Sequence, residues 1–257
     1  MTASLPSSSF MPRVAMVLAA GLGLRMRPLT LERPKPLLQI AGRTLLDHTL
    51  DHLAAAGVER AVVNTHYRGE QIAAHVAGRE KPAITLSPEA TPLETGGGIR
   101  KALPHLGTEP FFVANADIVW FDGPEATLRR LASMWDPAQM DALLLLTPTE
   151  SAFGYSGPGD FFLGRDGRVR RGWDDGIAPY VFAGVHITRP GPYAGGPEVP
   201  FSCNRVWDRM LAAGRLFGVA HQGAWYHLGT PEALIQAEHL VASHLSGQGQ
   251  DRPERAV

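Results

Sequence analysis

Val14-Ala15-Met16-Val17-Leu18-Ala19-Ala20-Gly21-Leu22-Gly23-Leu24-Arg25-Met26-Arg27-Pro28-Leu29-Thr30 is an apolar run that breaks into a glycine loop with two arginines, and Pro34-Lys35-Pro36-Leu37 follows. A short apolar run ended by glycine predicts a strand buried on both faces, as in a parallel sheet. The loop leaves the carboxyl end of that strand, which is where doubly wound sheets hold their ligands. Gly21 and Gly23 let backbone N–H groups approach phosphate oxygens with no Cβ in the way. Arg25 and Arg27 add charge-assisted donors. The loop is neither a P-loop nor G-x-G-x-x-G. On the glycine pair alone a tight turn is the simpler reading; with both arginines and the Pro-Lys-Pro bracket, phosphate binding is preferred. Lys35 between two prolines predicts stiff, extended backbone that aims the ammonium with little entropy left to lose.

Outward from this loop, strands and helices alternate. Thr44 is placed to cap a helix that runs to Ala56 and stops at Gly57. Strands are expected at Ala61–Asn64, Ile84–Leu86, Phe111–Ala114 and Ala142–Leu146, and helices at Gly69–Ala77, Thr95–Leu103 and Glu125–Trp135. This order predicts an α/β fold with a doubly wound, mostly parallel sheet. After about residue 150 the pattern changes to short segments (Gly159–Gly164, Val169–Trp173, Val181–Ile187) that read as a small antiparallel portion, closed by helices at Asn204–Ala213 and Pro231–His244. One domain over residues 13–245 is expected, with nucleotide-binding chemistry in 13–120 and sugar-binding chemistry in 121–245. Residues 1–12 and 246–257 read as disordered tails.

The 257 residues carry a net charge of −1 and are 44% hydrophobic, so a real core is available and no global field favours nucleic acid. Attraction for phosphate must be local. Only Lys35, Lys81 and Lys101 are lysines, although Lys plus Arg total 24. Codon bias accounts for Lys81, while Lys35 stands where a compact point charge is useful. Cys203 is the single cysteine, which fits a reducing, cytoplasmic compartment. The apolar run after Arg13 is too short and too glycine-broken for a leader, and no segment is long enough to span a membrane.

Two further motifs carry chemistry. Asn115-Ala116-Asp117 ends a strand on the ligand side of the sheet, where a carboxylate suits Mg²⁺ and where an Asx turn is the plain alternative. Leu93-Glu94-Thr95-Gly96-Gly97-Gly98 precedes a helix, where bare N–H groups favour anions or base edges. The plain alternatives are a hinge and an N-cap at Thr95.

Together these motifs resemble the nucleotidyltransferases that join a nucleoside triphosphate to a sugar 1-phosphate. The resemblance runs from Leu18–Leu37 through Leu93–Ile99, Asn115–Asp117, Gly159-Asp160-Phe161, Phe182-Ala183-Gly184-Val185 and Leu228-Gly229-Thr230-Pro231. Within that family, the Pro92–Ile99 block is most similar to the uridylyltransferases acting on N-acetylmuramate 1-phosphate, which serve cell-wall recycling. The resemblance implies Mg²⁺-dependent transfer, with Mn²⁺ as the alternative ion, and UTP as the nucleotide. Guanylyl or thymidylyl transfer, and a non-catalytic binding module, are the competing readings. By motif, Lys35 and Arg25 would act on the phosphates. Ala20, Gly21, Gly23, Leu24, Arg25, Glu94, Gly96, Gly97 and Asn115 would hold the nucleotide. Asp160, Gly184 and Glu94 would face the sugar, and Asp117 the metal.

One position departs from the family. Trp225-Tyr226-His227-Leu228-Gly229-Thr230 puts His227 where many relatives carry a second metal-binding aspartate. A neutral imidazole suits Mn²⁺ or Zn²⁺ better than Mg²⁺. Either His227 ligates through Nε2, or Asp117 and the substrate phosphates hold the ion alone, or catalysis is lost; the second is favoured. Asp174 and Asp175 are candidate substitutes for the missing carboxylate.

Overall fold

The computed structural model describes residues 10–172, 176–195 and 199–250. Its strands are β1 (Val14–Leu18), β2 (Gln39–Ile40), β3 (Arg43–Thr44), β4 (Arg60–Thr65), β5 (Ala83–Pro88), β6 (Phe111–Asn115), β7 (Ile118–Trp120), β8 (Ala142–Pro148), β9 (Phe161–Leu163), β10 (Val169–Arg171), β11 (Tyr180–Thr188), β12 (Leu216–Ala220) and β13 (Trp225–His227). The helices are α1 (Leu45–Ala56), α2 (Gly69–Val76), α3 (Glu94–Leu106), α4 (Thr127–Ser133), α5 (Cys203–Ala212) and α6 (Pro231–Gln250).

The main sheet runs β10-β9-β11-β6-β1-β4-β5, and β8 branches from β11 and carries β12. β1 pairs in parallel with both β4 and β6, and β4 pairs in parallel with β5. β11 returns antiparallel against β6 and β8. The mostly parallel sheet and its antiparallel addition after residue 150 are thus both present, and strands from the two halves of the chain share one sheet. Alternate residues of β1 explain why: Ala15 and Val17 pack with Leu46, Leu50 and Leu53 of α1, and Met16 packs on the other face with Ile99 and Ala102 of α3. A strand covered on both faces has no position for a polar side chain.

The α1 cap forms as expected. Thr44 Oγ1 accepts the Asp47 N–H at 3.0 Å, and Gly57 closes the helix at φ 95°, a pair of termini each worth about 1 kcal/mol. At the chain ends the structure corrects the expected tails. Phe10 stacks on Trp135 with ring centroids 6.4 Å apart, and Met11 also packs on the core, so Phe10 and Met11, where the described residues begin, are held rather than loose. α6 runs through Gln250, past the expected boundary at 246, because Leu245 still packs on the cluster beneath it.

That cluster positions the site. Met26, Leu38, Val119, Tyr226, Leu228 and Val241 pack together, joining the glycine loop, the β7–β13 ribbon and α6. Met26 is fully buried between exposed Arg25 and Arg27, so one apolar side chain anchors the loop while its neighbours face out.

Candidate active site

The loop after β1 keeps its backbone donors free. Among the described residues the N–H groups of Gly21, Leu22 and Gly23 donate to no protein acceptor. The two glycines differ in what requires them. Gly23 takes φ 64°, and a Cβ there would lie 3.1 Å from Thr30 and 3.2 Å from Lys35. Gly21 has ordinary φ and nothing within 4 Å of its absent Cβ, so neither backbone nor packing requires glycine there. Thr30 Oγ1 donates to the Gly23 carbonyl at 2.8 Å and Met26 N to the same oxygen at 3.0 Å, which closes the turn.

Pro34 is extended at φ −69°, ψ 146°, but Lys35–Leu37 forms a 3₁₀ turn, which corrects the expectation of extended backbone through the lysine. The turn sinks Lys35 to 8% exposure. Its Nζ donates to Asp117 Oδ2 at 2.7 Å. Burial pushes the Asp117 carboxyl up; the Lys35 ammonium, through its charge and its hydrogen bond, together with His227 and Arg25, outweighs this and holds the group below the usual carboxylate range. The four groups therefore form one electrostatic unit. His227 enters it through strand register, because His227 of β13 faces Ile118 of β7, next to Asp117. Burial pulls the His227 imidazole down, Asp117 draws it up and Lys35 with Arg25 press it down again; the net is a lowered ring that stays neutral at pH 7.

A cleft of about 260 Å³ is lined by Ala20, Gly21, Lys35, Glu94, Asn115 and Asp117 among others. A second cleft of about 210 Å³ is lined by Asp160, Arg171, Phe182, His186, Asn204 and Trp207 among others. Leu18, Thr95 and Asn115 line both, so the clefts meet over the carboxyl ends of β1 and β6. In the second cleft Asp160 accepts the Phe182 N–H at 2.8 Å. Burial raises its carboxyl, against the lowering by that N–H and by Arg171. His186, at the floor, is pushed down to about 3 by burial and is neutral.

Several expected residues lie elsewhere. Gly96 and Gly97 do not offer their N–H groups to a base: both donate to the Phe201 carbonyl, at 2.9 and 3.0 Å. A Cβ on Gly96 would lie 2.4 Å from the Phe201 ring, so this glycine serves close packing. Thr95 is not the N-cap of α3; Leu93 is, and Thr95 Oγ1 accepts the Cys203 N–H at 2.8 Å. Gly184 lines neither cleft; it takes φ 79° in the irregular stretch of β11, where a Cβ would meet Ile118 at 2.8 Å. Leu24 and Arg25 are exposed at the loop, outside the cleft lining. Asp174 and Asp175 lie outside the described residues.

Sequence reasoning passed over a pair at the back of the first cleft. Glu89, 5% exposed, accepts Asn64 Nδ2 at 2.7 Å and Leu93 N at 2.9 Å. Asn64 Oδ1 in turn accepts the Ala19 N–H at 2.7 Å. The third glycine, Gly98, makes room: a Cβ there would lie 2.7 Å from Asn64 Nδ2. The available signal was a polar residue at the carboxyl end of each neighbouring strand. His186 and Trp207 gave no such signal.

Residues 15–152 match the MobA-like NTP transferase domain. The chain belongs to this family. An N-acetylmuramate alpha-1-phosphate uridylyltransferase of Caulobacter vibrioides is 49% identical over 236 residues, covering 90% of this chain and 98% of that protein. Its counterpart from Neisseria meningitidis serogroup B is 35% identical over 89% of this chain and 98% of its own. Among solved structures, a UDP-glucose pyrophosphorylase in complex with UDP-glucose superposes with a TM-score of 0.73 at 17% identity, over 91% of this chain and 99% of that one. The NTP transferase fold and the nucleotidyltransferase class expected from Leu18–Leu37 are therefore those of the protein. No helix among the described residues is long and apolar enough to cross a membrane.

Proposed function

We propose that this NTP transferase condenses UTP with N-acetylmuramate 1-phosphate, giving UDP-N-acetylmuramate and pyrophosphate, in the cytoplasm and in the service of cell-wall recycling. The observation that carries the reading is the meeting of two clefts at Asn115 and Thr95, beside the Lys35–Asp117 pair. The choice of base and sugar is supported by the two uridylyltransferases similar to this chain over nearly its whole length.

In this reading the first half of the chain (residues 13–120) holds the nucleotide, and the second half (121–245) closes the sugar cleft. The free N–H groups of Gly21, Leu22 and Gly23 donate to triphosphate oxygens, with Arg25 beside them. A phosphate oxygen of the sugar 1-phosphate attacks the α-phosphorus. The new P–O bond forms as the α–β bridging bond breaks, and the electron pair leaves with pyrophosphate. Lys35 neutralises charge that grows on the α-phosphoryl oxygens, so positioning and electrostatics supply the rate. Asp160 accepts from a sugar hydroxyl.

A divalent cation fits at Asp117. Oδ2 is engaged by Lys35 while Oδ1 has no hydrogen bond among the described residues, and His227 offers a neutral nitrogen nearby. No group of three or more His, Cys, Asp or Glu that could hold a metal occurs among the described residues, so phosphates and water complete any coordination shell, as Mg²⁺ tolerates. When bound, such an ion neutralises phosphate charge. Asp117 would hold it, and the neutral His227 ring would face it or a phosphate.

The test is a pyrophosphate-release screen of UTP, GTP, CTP and dTTP against a panel of sugar 1-phosphates, with Mg²⁺ or Mn²⁺. UTP with N-acetylmuramate 1-phosphate is expected to give the highest kcat/KM. A clear preference for another pair would replace the substrate assignment, and silence across the panel with nucleotide still bound would favour a binding module.

A further inference from the structure

Three residues other than glycine hold a positive φ among the described residues: Ala41, Arg68 and Glu94. Two have local reasons. Ala41 and Gly42 form the two-residue turn between β2 and β3, which requires that conformation. Arg68 precedes α2 and donates through its guanidinium to the Leu31 carbonyl at 2.7 Å. Glu94 has no such reason. It holds φ 58° as the first residue of α3, is exposed, and its carboxylate takes no hydrogen bond or ion pair from the described residues. A glycine would adopt this backbone without strain, and non-glycine outliers of this kind collect at binding sites.

Three acids line the first cleft: Glu89, Glu94 and Asp117. Glu89 is committed through both oxygens, to Asn64 Nδ2 and Leu93 N. Asp117 is committed to Lys35. Glu94 alone keeps both oxygens for a ligand. A carboxylate only accepts hydrogen bonds. That excludes the phosphates, which repel it, and disfavours the uracil edge, whose single donor, N3–H, is flanked by two carbonyl oxygens. A vicinal diol presents two O–H donors at a spacing two carboxylate oxygens can meet, the pairing by which acidic side chains hold ribose in dinucleotide-binding sheets.

We infer that Glu94 accepts from the 2′- and 3′-hydroxyls of the nucleotide ribose and selects ribonucleotides over 2′-deoxyribonucleotides. The inference rests on the NTP-transfer reading and deepens it, because it distinguishes UTP from dTTP by the sugar rather than the base. The αL backbone is then the cost of placing a carboxylate at the lip of the cleft, where relaxed backbone would direct it elsewhere.

Calorimetric titration of the full chain with UTP and with dUTP, each with Mg²⁺ and without sugar phosphate, tests this directly. UTP is expected to bind roughly ten- to hundredfold more tightly than dUTP, the range for hydrogen bonds to a charged group. Glu94→Gly, which glycine's freedom at this φ allows to fold, should bring the two to within about threefold. Glu94→Gln keeps one acceptor oxygen and should fall between. Equal affinities in the parent would overturn the inference, as would a ratio that Glu94→Gly leaves unchanged. N3-methyl-UTP forms a third arm: if Glu94→Gly instead relieves discrimination against that analogue, the carboxylate reads the base and the inference fails. Should another base bind best, the same ribo/deoxy comparison within that base decides the matter, so an error in the uridylyl reading is distinguishable from an error at Glu94.

Discussion

The two clefts share Leu18, Thr95 and Asn115 and yet are built in different ways. The first is made of backbone and point charges: free N–H groups at Gly21 and Leu22, then Lys35 and Asp117, with exposed Arg25 outside the lining but in the same electrostatic unit. In the proposed reading the groups it must hold are chiefly phosphates, the same in every nucleotide. The second is made of side chains from segments far apart in the chain, with Asp160, Arg171, His186 and Trp207 brought together by β9, β10, β11 and α5. In the proposed reading it faces a sugar, where shape and hydroxyl pattern differ from one substrate to the next. Charge recognition tolerates a compact motif, whereas shape recognition spreads over the fold.

The sharpest way to break this comparison is Lys35→Ala. If Lys35 stabilises developing charge, kcat should fall about a hundredfold or more, with a modest change in UTP affinity. An equal loss in KM with kcat intact would make Lys35 a simple anchor. A second test sets two glycines against each other. Gly96→Ala puts a Cβ into the Phe201 ring and should cost about 1–3 kcal/mol in urea unfolding, from overpacking. Gly21→Ala meets open space, so stability should stay within about 0.5 kcal/mol while KM for UTP rises roughly tenfold. The reverse pattern would move ligand contact from the first glycine loop to the second.

His227→Asp addresses the position where the family resemblance implies a carboxylate. A second acid beside Asp117 should lower the Mg²⁺ concentration for half-maximal turnover, by about threefold or more. An unchanged metal response would assign His227 to packing or to a phosphate. The smallest effect is expected in the second cleft. Burial raises the Asp160 carboxyl in the folded state, so the fold binds its proton more tightly than the unfolded chain does. Stability from this group is present below the unfolded value and lost as pH rises through the folded one. Asp160→Asn keeps an acceptor for Phe182 N and should raise Tm at pH 7 by about 1–3 °C, with no gain at pH 3.5. A gain that did not depend on pH would place the cause outside titration.

This contrast also explains what could be read in the chain beforehand. β1, its loop, α1 with its Thr44 cap, and Asp117 at the end of β6 all follow from local patterns: apolar runs, glycine stops and a carboxylate at a strand end. Gly96 and Gly97 misled because an exposed N–H and one bonded to a distant carbonyl look identical in sequence; Phe201 lies more than a hundred residues downstream. Thr95 misled in the same way, its hydroxyl being taken by Cys203 rather than by its own helix. Lys35 was placed well by its prolines, although the second of them turns the chain instead of extending it. His186 and Trp207 carried no local signal, since only the meeting of β9, β10, β11 and α5 makes their neighbourhood a cleft.

The central claim, that two adjoining clefts hold a nucleotide and a sugar phosphate for direct transfer, is tested most directly by following label from UTP. With α-³²P-UTP and N-acetylmuramate 1-phosphate, the label should enter the sugar nucleotide, and label from γ-³²P-UTP should leave as pyrophosphate, neither occurring when the sugar phosphate is omitted. Label released as inorganic phosphate, or retained on the protein as a covalent nucleotidyl group, would contradict it.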